Sequence, residues 1–239
     1  MAREASAASN RATCALFDLD GTMCHSDPVH FVVFDELARR TGVLPGGMTE
    51  EYFKANIAGG ANESIFARMF PERSVEERAR MADEKEAEFR ERLKTEHLER
   101  AGGLTELLNA FDRAGVKTCV VTNAPRENAE AMLERLGLRE YFGERLVIGT
   151  ECARSKPHPD PYLEGMRRCG VEDASACVAF EDSPTGARAA VAAKIPTVGI
   201  LSSQSEETLT GAGCFLCVAD FTSPALASAL GIETTTATH

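Results

Sequence analysis

The chain has 239 residues, enough for one full-sized core with an insert, and its 26% charged and 44% hydrophobic shares are those of a chain that folds. A formal net charge of −11 argues against nucleic acid or an anionic membrane as partner, since both are bound through clustered Lys and Arg. No apolar run reaches the roughly 20 residues needed to cross a bilayer, and residues 1–13 lack the apolar stretch of a secretory signal. An intracellular, cytoplasmic protein is the expectation. The Ala/Ser-rich opening with Arg3 and Arg11 fits a plain disordered tail or the remnant of an organelle-targeting peptide.

The first apolar run, residues 14–19, predicts a buried strand. Residues 27–100 contain no strand pattern and read as all helix. Asp27-Pro28 starts one helix in N-cap and first-turn order, with Gly42 near its end, and a short helix follows Thr49. Ser74-Val75-Glu76-Glu77 is a capping box opening a long charged helix to about His97, with few apolar residues and one solvated face. Beyond Gly102-Gly103, strands are expected at 116–121, 146–148, 177–180, 197–200 and 214–218. They alternate with helices at 104–114, 126–136, 161–169 and 184–193. Such alternation gives an α/β fold, a Rossmann-like parallel sheet flanked by helices, with ligands outside the carboxyl ends of the strands. The chain divides into a discontinuous core, residues 1–26 and 101–239, and a helical insert, residues 27–100. Residues 234–239 read as a disordered tail.

The eight cysteines read as free thiols, several of them small hydrophobes within strands. Cys214 and Cys217, three apart on an expected strand, should face opposite sides and not bind a metal together.

The chemistry-bearing residues stand at the strand ends. Phe17-Asp18-Leu19-Asp20-Gly21-Thr22 places two carboxylates two apart on one side of an extended segment, where close carboxylates call for a cation or a shared proton. Taken alone, that pair fits a turn after an edge strand equally well. Gly21 lets the backbone turn beside a ligand and offers an amide to a phosphate oxygen. Thr122 and Asn123 end the next strand with a hydroxyl and an amide. Lys156, within Ser155-Lys156-Pro157-His158-Pro159, could offset charge on a transferring phosphoryl group. Glu181 and Asp182 add the remaining hard oxygen ligands for a divalent ion such as Mg2+.

Four such sites in this order and spacing resemble the haloacid dehalogenase superfamily, in the subgroup of beta-phosphoglucomutases and small sugar-phosphate phosphatases. The resemblance extends to plant-type sugar-phosphate phosphatases through Ser26-Asp27-Pro28-Val29-His30, Asn56-Ile57-Ala58-Gly59, Asp83-Glu84-Lys85-Glu86 and Thr122-Asn123-Ala124-Pro125. It implies a Mg2+-dependent phosphatase with Asp18 as nucleophile and Asp20 as general acid and base. It further implies Gly21, Thr122, Asn123 and Lys156 on the phosphoryl oxygens, and metal held by Asp18, the Asp20 carbonyl, Asp182 and Glu181. His30, Asn62 and Lys85 are nominated as substrate contacts from residues 27–100, which the resemblance makes a cap closing on substrate; for Lys85, a single charge on a solvated helix is the competing reading.

Three departures stand out. His25 occupies a position where relatives carry Asp, near the hinge. Lys194 replaces a glycine after a helix. Asn62 stands in the segment from which a mutase cap supplies an Arg to grip a distal phosphate, and an amide lacks that charge-assisted fork. The preference is therefore phosphatase over sugar phosphomutase, with a non-catalytic regulator a third reading and a monomer the expected state.

Overall fold

The computed structural model describes residues 12–232; the expectations for the opening segment before Ala12 and for the tail at 234–239 lie outside these residues. Six strands, β1 (Cys14–Phe17), β2 (Lys117–Thr122), β3 (Leu146–Ile148), β4 (Cys177–Glu181), β5 (Thr197–Ile200) and β6 (Leu216–Val218), form one parallel sheet in the order β3-β2-β1-β4-β5-β6. β1 is central: from it the chain runs outward through β2 to β3, then crosses to β4 on the other side of β1 and continues to β5 and β6. This is the topological switch point at which α/β sheets place their ligands. Phe17 is in register with Val120 and Phe180, so the carboxyl ends of β1, β2 and β4 lie together.

Strict alternation explains the two-faced burial. Ala15, Phe17, Val120, Val178 and Phe180 face one apolar cluster, joined by Phe111 of α5 (Leu104–Ala114), by α6 (Arg126–Arg135) and by Phe142 of the short α7 (Arg139–Phe142). Phe17 stacks on Phe180 with ring centroids 4.8 Å apart. Cys14, Leu16, Cys119, Val121 and Ala179 face the opposite cluster, with Tyr162 and Met166 of α8 (Asp160–Cys169) and the alanines of α9 (Pro184–Ala192).

Between β1 and α5 the chain forms α1 (Asp27–Thr41), α2 (Glu50–Asn56), α3 (Asn62–Met69) and α4 (Val75–Leu93). These helices pack around their own cluster of Phe34, Leu37, Phe53, Phe66 and Phe70. The two chain crossings run side by side: the His25 amide donates to the Glu99 carbonyl, and the Ala101 amide to Met23.

Local chemistry moves several boundaries. α1 begins after Ser26 rather than Asp27, and Ser26 provides no side-chain cap because its hydroxyl donates to Asp20 instead. The capping box at Ser74 and Glu77 is formed, but α4 ends at Leu93, not near His97. β1 stops at Phe17, β2 continues to Thr122, and β6 begins only at Leu216. Cys214 therefore lies before the strand, and Cys214 and Cys217 pack in one small cluster with Leu209 instead of facing opposite sides. α3 is a separate helix that carries no distinct signal in the sequence.

Candidate active site

Asp18 follows β1, Thr122 ends β2, Glu181 ends β4 with Asp182 next, and Lys156 stands in the loop before α8. The parallel register brings all five to one end of the sheet. The Lys156 ammonium donates to Asp18 Oδ1 and to Glu181 Oε1, each at 2.6 Å, and lies 5.2 Å from the centre of the Tyr162 ring. Ligand oxygens of Asp18, Glu181 and Asp182 lie within 4.8 Å of one another, and all three residues are buried. Two glycines make room. At Gly21, with φ +76°, a Cβ would sit 2.2 Å from Asp182 Oδ2; at Gly186 it would sit 2.0 Å from the Glu181 carboxylate oxygens.

Three carboxylates against one ammonium leave this pocket short of positive charge. Burial pushes the Asp18 carboxyl up to about 7, with Lys156 pulling it down and Glu181 adding to the rise. Burial also raises Asp182 well above the usual carboxylate range, reinforced by repulsion from Asp18 and Glu181. For Lys156, burial works against the charge, but Asp18 and Glu181 outweigh it and hold the ammonium above its ordinary value. Clustered hard oxygen donors whose ionisation is resisted by their own burial fit a hard divalent cation.

Asp20 turns elsewhere. Its Oδ1 accepts from Ser26 Oγ at 2.7 Å and lies 3.4 Å from His30 Nε2. The two carboxylates of this segment thus serve different partners, because the strand has ended before either and their alternation no longer holds. Burial would raise the Asp20 carboxyl, yet the His30 contact and the Ser26 bond bring it below its ordinary value. Lys85 Nζ lies 3.2 Å from His30 Nδ1, 2.9 Å from Glu86 Oε1 and 4.6 Å from the Phe34 ring centre, and it is 2% exposed. It is a buried cation, not a charge on a solvated face.

Of the nominated substrate contacts, His30 and Lys85 join this chain to Asp20, while Asn62 donates its amide to Glu86. Asn123 lies against the lysine loop. Its side-chain amide is spent on the Lys156 main chain, donating to the carbonyl and accepting from the N–H, each at 3.2 Å. It shapes the lysine loop. Thr122 is buried, and its hydroxyl accepts from the Ala124 amide at 3.0 Å.

Four contributors escaped sequence reasoning. Tyr162 donates its hydroxyl to Glu181 Oε1 at 2.5 Å, and Ser203 donates to Asp182 Oδ2 at 2.9 Å. Glu86, 6% exposed, accepts from Asn128 of α6 across the seam between insert and core. Tyr162 six residues after Lys156 was a usable signal; Glu86 ends the Asp83-Glu84-Lys85-Glu86 segment that carries the resemblance, but its burial is hidden in a charged run, and Ser203 and Asn128 carry no motif.

The haloacid dehalogenase-like hydrolase family matches residues 12–194, and the chain belongs to that family. It is 31% identical over 214 residues to validoxylamine A 7'-phosphate phosphatase of Streptomyces hygroscopicus subsp. limoneus, covering 84% of this chain and 92% of that one. Glycerol-1-phosphate phosphohydrolase 2 of Saccharomyces cerevisiae is 28% identical, over 88% of this chain and 83% of that one. Among solved structures, a family IA, variant 3 HAD hydrolase from Entamoeba histolytica superposes with a TM-score of 0.81 at 26% identity, over 91% of this chain and 97% of that one. No described helix is long and apolar enough to cross a membrane.

Proposed function

We propose that the chain is a phosphoric monoester hydrolase acting on small phosphorylated metabolites, sugar and polyol phosphates foremost, through a phospho-aspartate on Asp18. The observation that carries this reading is the buried convergence of Asp18, Lys156, Glu181 and Asp182 at the switch point of the sheet. The phosphatases among its relatives support the same chemistry.

An Asp18 oxygen attacks phosphorus, the bond to the leaving oxygen breaks, and Asp20 gives that oxygen its proton. Asp20 is ionised in the resting arrangement; the approach of the substrate phosphate raises its proton affinity, and it takes up from solvent the proton that it then passes to the leaving oxygen. Asp20 then takes a proton from water, whose oxygen attacks the phospho-aspartate and restores Asp18. Lys156, the Thr122 hydroxyl and the Gly21 amide hold the phosphoryl oxygens, which carry the spread charge of the transition state. Asp18, Asp182, Glu181 and the Asp20 carbonyl would hold Mg2+, which would supply further charge neutralisation at the phosphoryl group. Residues 27–100 act as the cap that excludes water, and the chain works as a monomer in which core and cap complete the site.

Phosphatase is favoured over mutase because Asn62 brings no charge for a distal phosphate and its amide is already held by Glu86. Purified protein with Mg2+ should release inorganic phosphate from members of a sugar- and polyol-phosphate panel, and Asp18→Asn should release none. Conversion of beta-glucose 1-phosphate to glucose 6-phosphate without phosphate release, in the presence of a catalytic bisphosphate, would establish the mutase instead.

A further inference from the structure

Asp20 marks the position of the leaving-group oxygen, so the rest of the substrate extends from Asp20 toward the groups linked to it. Those groups run in a chain: His30 of α1, then Lys85 and Glu86 of α4 at 3.2 and 2.9 Å steps, then Asn62 of α3 and Asn128 of α6. Arg90 stands behind Asn128, donating to its Oδ1 at 2.7 Å.

An unaccompanied Lys85 here would attract any second anion on the substrate. It is accompanied. The Glu86 carboxylate lies against it, and the other partners of that carboxylate are uncharged amides. Burial opposes the charge on Glu86, but Lys85, His30 and the Asn62 bond outweigh it and hold the carboxyl below its ordinary value. Leading away from Asp20, Lys85 is thus neutralised by Glu86 and flanked by two amides, with Arg90 held behind Asn128, an arrangement suited to hydroxyl groups and, through Glu86, unfavourable to carboxylates or a second phosphate.

We propose that Glu86 is a specificity-determining residue that rejects substrates carrying a second negative charge, so that the preferred substrates are monophosphates whose remaining part is uncharged and hydroxylated. This rests on the reading of Asp18 and Asp20 as a phosphatase pair, and it adds to that reading the class of leaving group.

Matched substrates test it: glycerol 3-phosphate against 3-phosphoglycerate, and sorbitol 6-phosphate against 6-phosphogluconate. Each pair differs only in a terminal alcohol or carboxylate. The ratio of kcat/KM, alcohol over carboxylate, cancels any general loss of activity. Wild-type protein should favour the alcohol by about tenfold or more, and Glu86→Gln should lower that ratio by about tenfold, equivalent to about 1.4 kcal/mol. Asn128→Ala, which loosens the seam without changing charge, should lower both rates and leave the ratio in place. Should E86Q melt before assay, Asn62→Lys adds a positive charge beside the intact carboxylate and should lower the ratio in the same direction. A wild-type preference for the carboxylate, or a ratio unmoved by either charge change in active protein, overturns the role of Glu86 while leaving the phosphatase intact. Phosphate release from neither pair nor any other phosphomonoester overturns both.

Discussion

The buried ammonium of Lys156 lies 2.6 Å from Asp18 Oδ1, so the proposed nucleophile and its counter-charge are held together before any substrate arrives. Lys156→Met should cut kcat/KM by about a hundred- to a thousandfold, the loss typical of one preorganised charge donor at a transition state. Asp18→Asn should abolish steady-state turnover. It also removes one of three crowded carboxylates, so the melting temperature of metal-free D18N should not fall below that of wild type. Retained turnover in D18N would remove Asp18 from the mechanism.

The same crowding makes stability depend on pH in the metal-free protein. Asp18 has an ordinary value of 3.8 and about 7 in the fold. The folded chain therefore holds a proton that the unfolded chain has released. The contribution of Asp18 is present in full below its ordinary value and is lost as pH rises through about 7. Asp182, also raised, acts in the same sense. Mg2+ binds the ionised cluster, so the gap in melting temperature between Mg2+ and chelator should widen from pH 5.5 to pH 8. A gap constant across that range would contradict metal binding by these carboxylates.

Tyr162→Phe deletes one hydroxyl and leaves Glu181 Oε1 with Lys156 as its remaining partner. Loss of a buried donor to a charged group costs about 1–3 kcal/mol, measurable by urea unfolding. The Mg2+ concentration for half-maximal activity should rise by about tenfold, as when an outer-shell partner of a metal ligand is removed. Unchanged values in both assays would show that Tyr162 contributes only packing.

Lys194 adopts φ +67°, the one positive φ at a non-glycine position among the described residues. It closes α9 with its amide on Val191, while the Ile195 amide donates to Ala190, a left-handed helix stop that favours glycine. Because the left-handed region costs an L-residue about 1–2 kcal/mol, Lys194→Gly should stabilise the protein by up to about 1 kcal/mol after the entropy of glycine is set against it. Lys194 is exposed and remote from the site, so kcat and KM should not change. A lower melting temperature would show that the lysine side chain supports the turn.

The parallel sheet, the four strand-end motifs and the helical insertion were legible because each depends on local pattern. Apolar runs of the right length make buried strands, and a strand end that faces a ligand carries its polar residues consecutively. Asp18, Glu181 and Asp182 could be named from sequence for that reason, and Lys156, in the loop before α8, through the order of the four motifs. Asn123 could not be placed, because whether its amide meets a phosphate or the Lys156 backbone depends on where a loop 33 residues away returns.

The order of amino acids sets which groups stand at the end of the sheet and in what succession. Tertiary structure alone decided that Asp20 turns from its neighbour toward Ser26 and His30, and that Lys85 and Glu86 leave the solvated face of a charged helix to become a buried pair. The physical reason is range. Strand and helix periodicity act over a few residues, whereas the burial that lets one charge require another is created only when α1, α3, α4 and α6 close over the same space.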